Sequence, residues 1–98
     1  MNIQKMMQQA QAMQTKMQAE LEAVRVEAAS GGGMVVVEMS GTKNVLSIRI
    51  DPACVDRDDV ETLQDLILAA TREASRRVDE AVQQKTASML GGVMPGLR

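Results

Sequence analysis

The chain has 98 residues, of which 11 are basic and 13 acidic, and 45% are hydrophobic although none is aromatic. This length fits one domain, and a core of Ala, Val, Leu, Ile and Met buries little area per residue, so we expect two copies to share apolar surface. Because there is no His and Cys54 is the only cysteine, a His general base, an internal disulfide and Cys- or His-based metal sites are excluded.

The sequence also predicts where the protein is located. No apolar run reaches the roughly 20 residues of a membrane span, and the first 18 residues lack the apolar centre of a signal peptide. A single cysteine fits a reducing compartment. We therefore expect a cytoplasmic protein with no membrane partner, no cofactor and no metal.

The first segment predicts a helix. Its apolar residues recur every three or four positions, and four of them recur every seven: Ile3, Ala10, Met17 and Val24. Glutamines fill much of the remaining surface. The spacing favours a packing stripe of the coiled-coil kind, and the alternative is an adaptable Met-rich surface for another protein.

Three short runs with alternating apolar residues follow, around residues 24–27, 34–39 and 45–50, and they predict an antiparallel meander. The first two are separated by Gly31-Gly32-Gly33. A glycine-rich loop can cradle a phosphate, but here no Gly-Lys-Ser/Thr follows and the next element is a strand. The glycines therefore predict a hairpin turn.

A second, longer helix follows an acidic block, residues 56–65, that holds five acidic residues and one Arg. Asp56 or Asp58 can cap this helix, where acidic groups match the positive end of the helix dipole. We expect the helix to end at Gly91-Gly92, so that residues 1–90 form a single domain and 91–98 a flexible tail. Residues 66–70 are apolar nearly all round, which predicts burial by the sheet and by a second subunit.

No residue pattern predicts catalysis. Cys54 lies among apolar neighbours rather than in the electropositive setting of a reactive thiol. Capping explains the acidic block better than acid–base chemistry, which needs a pocket that so small a sheet and helix cannot easily build. We therefore expect a protein that is not an enzyme.

Basic residues gather in the second half of the long helix: Arg72, Arg76, Arg77 and Lys85. At a spacing of four, Glu73 can pair with Arg77 and Arg76 with Glu80, which is typical of a solvated helix face. Guanidinium groups also bind phosphates, and a dimer presents each cluster twice. The spacing leaves both interpretations open, while the lack of aromatic residues argues against single-stranded nucleic acid.

Three stretches resemble a known family: residues 32–37 (GGMVVV), 45–52 (VLSIRIDP) and 59–67 (DVETLQDLI). Together with Arg76-Arg77 and Pro95-Gly96-Leu97, they resemble the YbaB/EbfC family of bacterial nucleoid-associated proteins over nearly the whole chain. The resemblance implies an α+β fold with a long N-terminal helix, a three-stranded antiparallel sheet and a long C-terminal helix. It further implies a tweezer-like homodimer that binds duplex DNA in the nucleoid and affects nucleoid organisation and gene expression.

The resemblance implies that basic groups on both long helices contact DNA. On this chain they are Lys5, Lys16, Arg72, Arg76, Arg77 and Lys85. We expect the sheet and the second helix to form the dimer interface through Val35, Val37, Ile48, Leu63, Leu66, Ile67 and Ala70. Many relatives have Lys where this chain has Val36, which together with a pI near 5.0 argues against strong non-specific affinity. The alternative function is a protein-interaction adaptor that binds its partner through the Met- and Gln-rich first helix.

Overall fold

The computed structural model describes residues 2–93 as a helix, three strands and a second helix. The elements are α1 (Ile3–Ala23), β1 (Arg25–Ser30), β2 (Val35–Ser40), β3 (Val45–Ile50) and α2 (Val60–Val93), with a short 3-10 helix at Pro52–Cys54. The strands form one antiparallel sheet in the order β1-β2-β3. The predicted α+β fold and its order of elements are therefore confirmed.

The β1–β2 connection is the predicted hairpin. Gly31, Gly32 and Gly33 all have positive φ angles, of 60°, 68° and 94°, a region that side chains other than glycine rarely adopt. The Gly33 amide donates a hydrogen bond to the Ser30 carbonyl oxygen over 3.1 Å. A Cβ atom on Gly31 would lie 2.9 Å from Cδ2 of Leu66, so this turn also lets α2 approach the sheet.

The core lies between α2 and the first two strands. In the antiparallel register Ala28 faces Val37, and α2 covers them with small side chains that allow close packing. The core consists of Ala28, Val35, Val37, Met39, Ala70, Ala74 and Val78. The spacing of four between Ala70, Ala74 and Val78 places all three on one face of the helix.

The third strand is left largely uncovered by the helix. Ile48 lies opposite Val37 and Ile50 opposite Val35, so both side chains are on the α2 side of the sheet. However, α2 packs on β1 and β2, and Ile48 and Ile50 remain 45% and 38% exposed. The apolar face of β3 therefore has no cover among the residues that the structure describes.

The first helix projects from the body. Its residues 3–16 are all exposed. At its C-terminal cap it contacts the sheet, where Gly41 in the β2–β3 turn donates a hydrogen bond to the Val24 carbonyl oxygen over 3.0 Å. A Cβ atom on Gly41 would collide with the Leu21 carbonyl oxygen, so glycine is required for this close approach. The projecting helix makes the molecule elongated, with extents of 69, 30 and 15 Å.

Both ends of α2 differ from the prediction. Asp59, rather than Asp56 or Asp58, caps the helix, because its carboxylate accepts a hydrogen bond from the Thr62 amide over 3.3 Å. Asp56 instead accepts from the Asp58 amide in the preceding turn. At the other end the helix continues through Gly91 and Gly92 to Val93, since glycine weakens a helix without blocking it. The rest of the expected tail, residues 94–98, lies outside the described residues.

No helix among residues 2–93 is long and apolar enough to cross a membrane.

Candidate nucleic-acid interface

The six predicted DNA-binding residues are distributed over three parts of the molecule. Lys5 and Lys16 are exposed on the projecting part of α1. Arg72, Arg76 and Arg77 lie where α2 crosses the sheet, and Lys85 lies beyond it. Lys85 therefore lies apart from the three arginines of α2, and the three arginines differ in their contacts.

Arg72 and Arg76 point away from the sheet. Each follows a core residue, Ala70 or Ala74, by two positions, and two positions on an α-helix correspond to about 200°. Arg72 is exposed and forms no salt bridge with any residue that the structure describes. It is the most available of the three arginines for an anion.

Carboxylates of the same helix surround Arg76. Its Nε donates a hydrogen bond to Oε1 of Glu73 over 2.9 Å, and its two terminal nitrogens reach Glu73 and Glu80. The hydrogen bond from Arg76 lowers the pKa of Glu73, and the same bond raises the pKa of Arg76. Two acidic neighbours thus compete with any phosphate for this guanidinium. The predicted pairing of Arg76 with Glu80 is confirmed.

Arg77 contacts the free edge of the sheet. Its Nη1 donates a hydrogen bond over 2.7 Å to the main-chain carbonyl oxygen of Glu27 in β1, and its Nε lies 3.5 Å from Glu73. The second contact confirms the predicted Glu73–Arg77 pair. An edge strand with unpaired carbonyl groups can pair with other strands, so the first contact gives Arg77 a structural role that the sequence did not indicate.

The two helices leave the sheet at the same end. At this end the β2–β3 turn contacts α1 through Gly41 and α2 through a salt bridge of 2.9 Å between Lys43 and Asp79. The α2 helix continues 14 residues past Asp79 to Val93, which is about 21 Å. Lys16 on α1 and Lys85 on α2 therefore belong to two helical projections with a common base.

These projections have a charge pattern that the sequence analysis missed. All 13 acidic residues lie between Glu20 and Glu80. Residues 2–19 contain Lys5 and Lys16 as their only charged side chains, and residues 81–93 contain only Lys85. The signal was present in the sequence as the lack of Asp and Glu before Glu20 and after Glu80. Only the fold shows that both segments extend from one end of the sheet.

Arg25 is a further basic residue that the sequence analysis did not select. It begins β1, is exposed, and is not part of a salt bridge within the described part of the chain. It lies opposite Ser40, at the end of the sheet from which both helices project. The alternation of Val24 and Val26 with Arg25 was the available signal, since it places Arg25 on the solvated face.

The seven predicted interface residues fall into two groups. Val35, Val37 and Ala70 are completely buried inside the single chain, so they have no accessible surface to lose on dimerisation and instead form the subunit core. Ile48 is exposed, and the remaining three side chains are half-buried beside that core: Leu63, Leu66 and Ile67. Exposed apolar residues that the prediction omitted lie on β3 and α2: Val45, Leu46, Ile50, Val60 and Leu68.

Comparison with known proteins agrees with this architecture. Residues 1–93 match the YbaB/EbfC DNA-binding family. The chain belongs to this family. It is 50% identical to a nucleoid-associated protein of Thermoanaerobacter sp. (strain X514) over 100 aligned positions, covering 98% of this chain and 90% of that protein. It is 46% identical to a nucleoid-associated protein of Koribacter versatilis (strain Ellin345), covering 97% and 95%.

A solved structure shares the fold. The crystal structure of an uncharacterized protein from Helicobacter pylori superimposes with a TM-score of 0.69 at 22% sequence identity, covering 93% of this YbaB/EbfC chain and 99% of that one. The family match over residues 1–93 and the two relatives confirm the predicted family. A DNA-binding family favours the nucleoid function over the adaptor alternative.

Proposed function

We propose that the chain is a nucleoid-associated protein of the bacterial cytoplasm whose homodimer binds duplex DNA by contacting phosphates. One observation carries this proposal: both helical projections are free of acidic residues and carry lysines, although the whole chain has a net charge of −2. A cation that neutralises a phosphate releases a counterion, which gives affinity without sequence readout. Family membership and the names of the relatives support the same function.

The structure ranks the six proposed contact residues. Lys5, Lys16, Arg72 and Lys85 form no salt bridge with described residues, so each can bind a phosphate without first losing a partner. Arg76 and Arg77 must exchange Glu73 for the phosphate. Because exposed ion pairs stabilise a protein only weakly, the two arginines can exchange partners, but the exchange lowers their contribution to DNA affinity.

The uncovered third strand supports the homodimer. Ile48 and Ile50 on β3 and Leu68 on α2 are exposed apolar side chains, and α2 covers only the other two strands. A two-fold axis beside β3 would place α2 of the partner over this surface, and a two-fold contact satisfies both copies at once. The dimer doubles the number of lysine-bearing projections.

Removing the lysines nearest the common base tests the DNA site. The change is Lys16→Gln with Lys85→Gln, and the matched control is Arg49→Gln with Arg57→Gln, which removes the same charge from the sheet and the loop before α2. We expect the lysine variant to bind a 30-base-pair duplex at least tenfold more weakly than the control in fluorescence anisotropy at low salt, because charge near the phosphates matters most. Equal losses in the two variants would contradict this site.

A further inference from the structure

We propose that α1 is also a self-association surface, through which it pairs antiparallel with α1 of a second copy and links neighbouring dimers. The linking of dimers rests on the homodimer proposed above. The surface is an apolar stripe on the projecting part of α1: Ile3, Met6, Met7, Ala10, Met13 and Met17. Within the described structure it is uncovered, since Ile3, Met7 and Met13 are 70%, 64% and 61% exposed.

The stripe is complementary to itself under a two-fold axis at Ala10. In this antiparallel register Ile3 of each helix lies opposite Met17 of the other, and Met7 lies opposite Met13. Ala10 then meets its own copy, and this small side chain allows the helices to approach to the lower end of the usual 8–10 Å interaxial distance. Long methionines pack on either side, and their flexible thioethers adapt to such a contact.

The free length of α1 matches this register. With the axis at Ala10, Asn2, the N-cap of each helix, lies opposite Gln18 of the other. The helix meets the β2–β3 turn from Leu21 onward, where Gly41 approaches its backbone. The two helices therefore overlap along their whole projecting length before either one reaches the body of the other.

The position of the charged residues on α1 permits the pairing and leaves both lysines accessible to DNA. The stripe contains no charged residue. Lys5 follows Ile3 by two positions, about 200° round the helix, and Lys16 follows Ala10 by six, about 120° from it. Both lysines thus point away from the paired surface, so a single α1 can contact its copy and a phosphate at once.

The contact is small, which determines when it forms. A pair of helices of this length buries less than the roughly 1,200 Å² of a standard stable interface. Dimers that lie side by side on one duplex raise each other's effective concentration, and a weak contact then becomes populated. Because each dimer has two α1 helices, the pairing joins dimers into a chain along DNA.

Cysteine cross-linking tests the register. In a Cys54→Ser background, Ala10→Cys places a thiol on the two-fold axis, whereas the matched control Ala12→Cys places it about 200° away on the same helix. Under mild oxidation we expect disulfide formation at least tenfold faster for Ala10→Cys, since a disulfide needs Cα atoms within about 7 Å. Adding Met13→Asp should remove this difference, and light scattering should show cross-linked species larger than two chains.

Other outcomes overturn the inference, and they differ from failure of the homodimer. Equal rates for Ala10→Cys and Ala12→Cys would show that the helices do not pair in this register. Suppose that the cross-linked species contains only two chains and that the Met13→Asp variant is still a dimer. The α1 pairing would then lie inside one dimer, and the linking of dimers would be overturned. If the cross-linked species contains only two chains and the Met13→Asp variant is a monomer, α1 pairing itself forms the dimer. This result would overturn the homodimer through β3 and leave the α1 pairing intact.

Discussion

Glu73 controls two of the proposed phosphate ligands. It accepts hydrogen bonds from Arg76 and lies within salt-bridge distance of Arg77, and its lowered pKa reflects the first of these contacts. The Glu73 carboxylate thus holds both guanidinium groups close to the surface of α2. In the proposed DNA site, Glu73 therefore competes with phosphate for both guanidinium groups.

Replacing Glu73 should release this restraint. We expect Glu73→Gln to raise affinity for duplex DNA about fivefold, because both arginines then lose a competing carboxylate. Glu61→Gln is the control, since it makes the same charge change in the first turn of α2. Anisotropy titrations of the two variants at one salt concentration give the comparison. A gain no larger than that of Glu61→Gln would show that Arg76 and Arg77 do not contact phosphate.

For individual side chains, the sequence predicted the ion pairs within α2 and missed the contact between α2 and β1. The Glu73–Arg77 and Arg76–Glu80 pairs follow from helical spacing and were predicted. The bond from Arg77 to the Glu27 carbonyl oxygen spans 50 residues, and only the packing of α2 against β1 creates it. No spacing rule gives such a contact, so the structural role of Arg77 could not be predicted.

The β3 strand and α2 carry the interface of the proposed homodimer. The helix covers β1 and β2, while Ile48 and Ile50 on β3 and Leu68 on α2 remain exposed. Surfaces of this kind mark interfaces in soluble proteins. The sequence correctly predicted the strands and the second helix, but it could not show that the helix covers only two strands of three. For that reason Val35, Val37 and Ala70 were assigned to the interface although they form the core.

A charge on β3 should separate the subunits. We expect Ile48→Asp to convert the protein from dimer to monomer in sedimentation equilibrium, because an isolated carboxylate cannot enter an apolar interface without a large desolvation cost. Ile3→Asp is the control, since it makes the same substitution at a more exposed isoleucine on α1, 70% against 45% exposed, and it should stay dimeric. Circular dichroism must show that both variants remain helical. A dimeric Ile48→Asp variant would contradict the proposed interface.

The whole molecule separates its charges along its length. Acidic residues lie in the body, between Glu20 and Glu80, while the helical projections carry lysine and no acid. A chain with a pI near 5.0 can therefore present positive surfaces to DNA, because association depends on local potential more than on net charge. The family was predictable from the strand and turn motifs, whereas the common base of the projections required the structure.

The salt dependence of duplex binding tests this account most directly. Each phosphate neutralised by a lysine or arginine contributes about −0.9 to the slope of log affinity against log salt concentration. Lys5, Lys16 and Lys85 give a dimer six such cations, so contact by three to six of them predicts a slope between about −3 and −5 for the unmodified protein. A slope shallower than about −2, or no complex at low salt, would contradict the account.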